Sequence, residues 1–201
     1  MNKIIILVLF TLLIGCIGTN NPPADIYTIS PEWSNKSLQA DGEIKSSLIV
    51  KLSPIRATQE FIGNDIIYAD SQYSRDSYVY SRWNDSPVKL LQTLFQISIE
   101  KSKLFKAVVP PTSVSKAGLL LESTLLDFSH QINDDGTSEG VIRVRFYLID
   151  NTTGTVTATQ EFVSRVSSAT KNAKGAVEAL NKAAISVASS LVTWLAEHSL
   201  H

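Results

Sequence analysis

Residues 141–150 alternate without a break. Ile142, Val144, Phe146 and Leu148 stand on one side of an extended chain, and Arg143, Arg145 and Tyr147 on the other. Side chains of a β-strand point to its two faces in turn, so a run of this kind has one wet and one buried face and belongs to a sheet covered on one side only. The turn clusters Asn133-Asp134-Asp135-Gly136 and Asn151-Thr152-Thr153-Gly154 flank it. Beyond them lie two further long strand candidates, 118–132 and 155–166, the latter with Val156, Ala158, Phe162 and Val166 on its inner parity. Antiparallel neighbours are the simplest pairing for three runs joined this tightly.

The cover for such a sheet follows at once. Between 172 and 197, Ala176, Val177, Leu180, Ala183, Ala184, Val187, Ala188, Leu191, Val192 and Leu195 recur at three- and four-residue steps, the stripe of a helix packed on one side. Its many alanines let it lie close to the sheet. A second helix is expected over 86–103. Ser86 suits the cap and Pro87 the first helical position, where no donor is needed, and Val88, Leu91, Leu94, Phe95 and Ser98 share a face. Short strands are expected at 26–29, 66–68, 78–80 and 104–109, and a longer one at 44–55, with Ile44, Leu48, Val50 and Leu52 on one parity; 31–43, with Trp33, reads as a loop. The class is therefore α+β: a mainly antiparallel sheet of about six or seven strands with two helices packed on one face.

The N-terminus has another character. Lys3 precedes an apolar run over 4–13 interrupted only by Thr11, and Leu13-Ile14-Gly15-Cys16 closes it. The run is shorter than the roughly 20 residues a spanning helix needs and has the length of a signal-peptide core followed by a small residue. Leu-Ile-Gly-Cys resembles the lipobox of bacterial lipoproteins, in which the Cys thiol is diacylated, the peptide is cut before it and the new amine is acylated, with palmitate as a representative chain. The organisation expected is thus a signal peptide over 1–15, the lipidated Cys16 with its tether over 16–24, and one domain over 25–201. Two or more buried acyl chains make stable anchoring, and no later stretch reads as a membrane span. Asn20-Asn21-Pro22-Pro23 makes the tether extended. Cys16 is the one Cys in the chain, so an exported domain carries no disulfide. With no Asp after Cys16, the outer membrane, on its periplasmic face, is the expected location.

Charge is balanced, 18 basic against 19 acidic side chains, with no basic stripe of the kind a nucleic-acid partner requires. Of the three His, His198 and His201 lie in the C-terminal tail. His130 has no second His or Cys at ligand spacing and reads as a surface or strand-end residue. Asp65, Asp70, Asp76 and Asp85 sit among Asn and Ser as solvated turns do. No nucleophile elbow or phosphate loop is present, so the chain is not expected to be an enzyme or to hold a cofactor or metal.

Tyr and Arg, residue types that anchor interfaces, gather between Tyr68 and Trp83. Arg82-Trp83 sits between a strand and the helix cap, where the ring either caps the core, with Arg82 on a carboxylate, or meets a partner. Tyr73 and Arg75 fall in the connection between two short strands and are the best partner-binding candidates, together with Arg82 and Trp83.

The ordered set across 47–111 resembles the ABC-type transport auxiliary lipoproteins, the paraquat-inducible protein C-like group. It comprises a strand from Leu48 ending at Pro54, Phe61-Ile62 ahead of Ile66-Ile67-Tyr68, Tyr80-Ser81-Arg82-Trp83, Ser86-Pro87 opening a Leu-rich helix, and Phe105 with Val108-Val109 before Pro110. Asn84-Asp85-Ser86 departs from the acidic or small residue followed by Pro that the family often has there. The resemblance implies an envelope lipoprotein held by lipid on Cys16, working beside an ABC transporter and an MCE-type substrate-binding protein, in systems moving lipids or other hydrophobic molecules. It would meet them, or another copy of itself, through a sheet edge or the Tyr68–Trp83 region. The alternative is a periplasmic carrier enclosing a hydrophobic ligand, which requires an apolar cavity of several hundred cubic ångströms between sheet and helices; an envelope hydrolase is the remaining rival.

Overall fold

Three long strands build the frame of the computed structural model, which describes residues 23–30, 44–70 and 73–199. They are β7 (Leu119–Ile132), β8 (Ser138–Asp150) and β9 (Thr155–Ser167), paired antiparallel in chain order. Gly136 makes the first turn possible: its φ of 85° lies in the left-handed region that glycine enters without penalty. Along β7 buried and half-buried residues alternate up to Leu125. There the register against β8 slips between Leu125 and Asp127, a bulge that changes which parity faces the core. Phe128 and His130 consequently point inward.

The other edge of β7 is shared by three short strands in succession, all parallel to it. β2 (Ile49–Leu52) pairs with residues 119–121, β3 (Arg56–Ala57) with 124–125 and β4 (Asp65–Ala69) with 130–131. Outside them, β6 (Ala107–Val109) runs parallel to β2. β5 (Arg75–Trp83) returns antiparallel to β4, and β1 (Asp25–Tyr27) runs parallel to β5. The result is one nine-stranded mixed sheet. The α+β class holds, with the long strands antiparallel as expected; the sheet is mixed, and its nine strands exceed the expected six or seven. Hairpin turns betray only pairings between consecutive strands; parallel partners far apart in the chain leave no such mark.

Helices α1 (Pro87–Lys101) and α2 (Ala173–His198) cover one face. Leu91, Leu94, Phe95 and Ile99 of α1 are buried, and the cap of α2 is Asn172, whose side chain accepts from the Gly175 amide at 3.0 Å. Edge-to-face and tilted rings run through the layers: Phe95 to Phe146 at 5.3 Å, Phe146 to Phe162 at 6.0 Å and Phe162 to Trp194 at 6.5 Å. α2 approaches β8 so closely at Gly140 that a Cβ there would stand 2.7 Å from the Leu180 amide nitrogen. By length and a mean hydropathy of 1.2, α2 does qualify as a membrane span, contrary to the sequence expectation, yet half of its apolar window is buried within the domain. Of the 44–55 run only β2 is strand: Val50 and Leu52 are buried, whereas Ile44 and Leu48 are exposed. The signal peptide, Cys16, the tether through Pro22, and Trp33 lie outside the described residues.

Candidate interaction surface

The β4–β5 hairpin carries the candidate residues and divides them. Its ladder pairs Ala69 with Arg75, Tyr68 with Asp76 and Ile67 with Ser77, then jumps to Asp65 with Arg82. Residues 78–81 are thereby left out of the β4 pairing as a wide bulge. A bulge turns neighbouring side chains to unusual directions, and here Tyr78 goes in while Val79 and Tyr80 go out.

Tyr78 meets His130: the phenol oxygen lies 2.7 Å from Nδ1, and the Tyr78 ring stacks obliquely on Tyr68 at 5.0 Å. Burial, and secondarily Tyr68, pushes the Tyr78 phenol up to about 12. His130 is fully buried, which corrects its reading as a surface or strand-end residue; the β7 bulge put it on the core side. Burial holds its imidazole below the ordinary value, and Nε2 has no hydrogen-bond partner among the described residues.

Trp83 is buried, edge-on to Phe128 at 5.5 Å. Its amide donates to the Asn64 carbonyl, and the Asn84 amide to the Tyr27 carbonyl, each at 2.7 Å. It sits where three segments of chain meet, packed as a core ring. Arg82 is exposed, opposite Asp65 on one side and Ile26 on the other. Arg75 reaches across the helix-free face of the sheet to Asp127 at 3.3 Å and Glu60 at 3.5 Å, with its guanidinium 5.9 Å from the Phe61 ring centre. Asp127 also accepts from Ser129 at 2.7 Å and Gln131 at 3.0 Å. Arg75 is thus engaged within the domain. Tyr73, two residues before it, is 91% exposed.

What the sequence left unmarked is that Val79 and Tyr80 both turn outward, 82% and 52% exposed. A Tyr-Val-Tyr alternation reads as regular strand, and no residue type announces the bulge. Beside them, Asp25, Tyr27, Tyr78, Asn172 and Lys174 complete an open groove of about 430 Å³. A second groove of about 460 Å³ lies between β9 and the C-terminal half of α2, with Phe162 and Trp194 in its wall.

The opposite margin of the sheet is β9, paired on one side only. On the helix-free face Glu161 bridges Arg143 at 2.5 Å and Arg145 at 2.6 Å; those two guanidiniums hold its carboxyl below the usual range. Val156 and Val163 of β9 are about half exposed. Among the described residues no group of three or more His, Cys, Asp or Glu is placed to hold a metal ion.

The arrangement defines a fold that solved proteins share. Protein XCC0632 from Xanthomonas campestris, of the family DUF330, superimposes with a TM-score of 0.78 at 15% identity, over 87% of this chain and 96% of its own. An uncharacterized protein gives 0.66 at 11% identity, over 87% and 99%. Hypothetical protein CT253 from Chlamydia trachomatis gives 0.51 at 7%, over 76% and 97%. At such identities the likeness is one of fold. No protein-family model matches the sequence, and no curated protein matches it.

Proposed function

We propose that the chain is a lipid-anchored envelope protein, held through Cys16 at the periplasmic face of the outer membrane. There it serves as a non-enzymatic auxiliary component of an ABC/MCE-type system that moves lipids or other hydrophobic molecules. The lipobox-like Leu13-Ile14-Gly15-Cys16 supports the anchor. The ordered set from Leu48 to Pro110, with Tyr80-Ser81-Arg82-Trp83 and Ser86-Pro87 at its centre, supports membership of the ABC-type transport auxiliary lipoproteins.

The observation that carries the auxiliary role over the carrier role is the filling of the interior. Phe95, Phe146, Leu91 and Leu148, each at most 2% exposed, occupy the space between helices and sheet where an enclosed ligand would have to sit. Meanwhile β9 offers a thirteen-residue edge, and unpaired amides and carbonyls on an edge are a ready template for another chain. This edge is where the MCE-type protein, a permease component or a second copy would add.

The carrier reading retains one observation in its favour, the Phe162–Trp194 groove. Tagged full-length chain, extracted from its native membrane and purified, separates the two. Co-purification of an MCE-type protein or ABC subunits, with no stoichiometric lipid beyond the acyl chains on Cys16, is expected. One bound lipid per chain without protein partners would overturn the proposal in favour of the carrier.

A further inference from the structure

The described chain begins at Pro23, seven residues after Cys16. Seven extended residues reach at most about 25 Å, so where the chain enters the domain fixes which part of it stays near the lipid. β1 pairs Asp25 with Ser81 and Tyr27 with Trp83 in parallel. Upstream of Asp25 the chain therefore points along β5 toward its first residues, the end of the domain that bears the β4–β5 connection. The β7–β8 turn lies at the same end, since Ala69 pairs with Gln131. So does the β9–α2 connection, where the Ser168 amide donates to the Ser138 carbonyl at 2.8 Å. The β8–β9 turn is at the other end, about 40 Å away along strands of this length.

We infer that the Tyr73–Val79–Tyr80 surface of this hairpin rests on the headgroup layer of the zwitterionic bilayer that holds the Cys16 lipid. The inference rests on the proposed lipid anchor and adds to it an orientation and a contact surface. Tyr73, Val79 and Tyr80 are 91%, 82% and 52% exposed on the hairpin that β1 runs beside. Tyr, with an apolar ring and a polar tip, is the residue type that settles at a membrane–water interface. Charge selects the kind of lipid. This end carries Asp25, Asp70, Asp76, Asp134 and Asp135 against Arg75, Lys171 and Lys174, with Arg75 already ion-paired. No excess of positive charge is available to draw anionic headgroups, which leaves ring and methyl contacts with phosphatidylethanolamine or phosphatidylcholine.

The test uses the full lipidated chain in vesicles of phosphatidylethanolamine and phosphatidylcholine. The acylated Cys16 leaves an introduced thiol as the sole site for labelling. An environment-sensitive fluorophore is placed at Tyr73→Cys, at Val79→Cys and, as the far-end control, at Thr153→Cys, and a headgroup-attached quencher is included in the lipid. Several-fold stronger quenching at 73 and 79 than at 153 is expected, with a blue shift on vesicle binding. Equal quenching at all three positions, or a blue shift at 73 that is already present without vesicles because copies pair there, overturns the inference while the anchor stands. Intact mass and vesicle flotation report the anchor separately: an unmodified Cys16 and a chain left in the supernatant overturn the anchor and, with it, the contact. Melting curves of the three variants, all at exposed positions, check that the label has not unfolded the domain.

Discussion

The two halves of the sheet are held together in different ways. In the half made of β7, β8 and β9, register is specified many times over. Twelve residue pairs along β8–β9 set side chains opposite one another on the same face, inward for Val144 with Phe162 and outward for Arg143 with Val163, and a slip by one residue would turn every apolar side chain to the wet face. In the half made of β1 to β6 no strand but β5 exceeds five residues. There position is fixed instead by a few large buried rings and by single backbone bonds such as Trp83 to Asn64 and Asn84 to Tyr27. Redundant pairing holds register on both sides of the one-residue bulge at Leu126, whereas sparse anchoring tolerates a wide bulge at residues 78–81 and frees side chains for contact.

The difference is broken most directly at Trp83. In Trp83→Ala the short-strand half loses the ring that packs on Phe128, with no long ladder to compensate. A loss of about 3–5 kcal/mol of unfolding free energy is expected, read by denaturant titration. A normal melt would mean that the short strands hold without their largest side chain. The counterpart in the long half is Gly140→Val, whose added atoms meet the α2 backbone at Ala179 and Leu180. Overpacking against backbone costs about 1–3 kcal/mol. A smaller loss than at Trp83 is expected, because the ladder on both sides of β8 remains.

The same division explains what was legible in the sequence. Strict alternation in 141–150 and the Gly-bearing turns on either side marked the long half, and the stripe from Ala176 to Leu195 marked its helix, because those patterns are local and periodic. The short half was legible as a list of strands and not as a sheet. Parallel pairing of Val50 with Leu119 or Tyr68 with His130 joins segments with no periodic signal between them. His130 was misread for a related reason: its parity along 118–132 is reversed by a bulge at Leu126 that depends on the β8 register. Of the interface candidates, exposure of Tyr73 followed from its place in a turn. Arg75 could not be known to reach Asp127, since that contact spans 52 residues.

His130 joins the halves, standing in β7 and bonded to Tyr78 in β5. Its imidazole titrates near 6.5 in the unfolded chain and lower in the fold, where burial disfavours the cation. Below about 6.5 the unfolded state binds a proton that the native state refuses. Stability is therefore fully present above 6.5 and falls as pH drops toward the depressed native value, by up to about 1.4 kcal/mol per pH unit. Its hydrogen-bond partner Tyr78, pushed up to about 12, is uncharged in this range. Urea titrations from pH 7 to 5 should show this slope in the natural chain and its loss in His130→Gln; an unchanged slope in the variant would assign the acid sensitivity elsewhere.

The smallest effect on stability is expected at the free edge of β9. Val163 is about half exposed and its backbone pairs only with Arg143. In Val163→Lys the inner ladder stays intact, and a surface change away from core, cap or turn shifts stability by no more than about 0.5 kcal/mol. A lysine on an edge is nevertheless an effective block to strand addition, because a second strand must desolvate its ammonium. An unchanged melt combined with lost co-purification of transport components is therefore expected for Val163→Lys, while Val79→Lys, on the short half, should keep those components and weaken only the vesicle contact. If instead Val163→Lys retains its partners and Val79→Lys loses them, protein docking belongs to the bulged hairpin, and the roles given to the two edges are reversed.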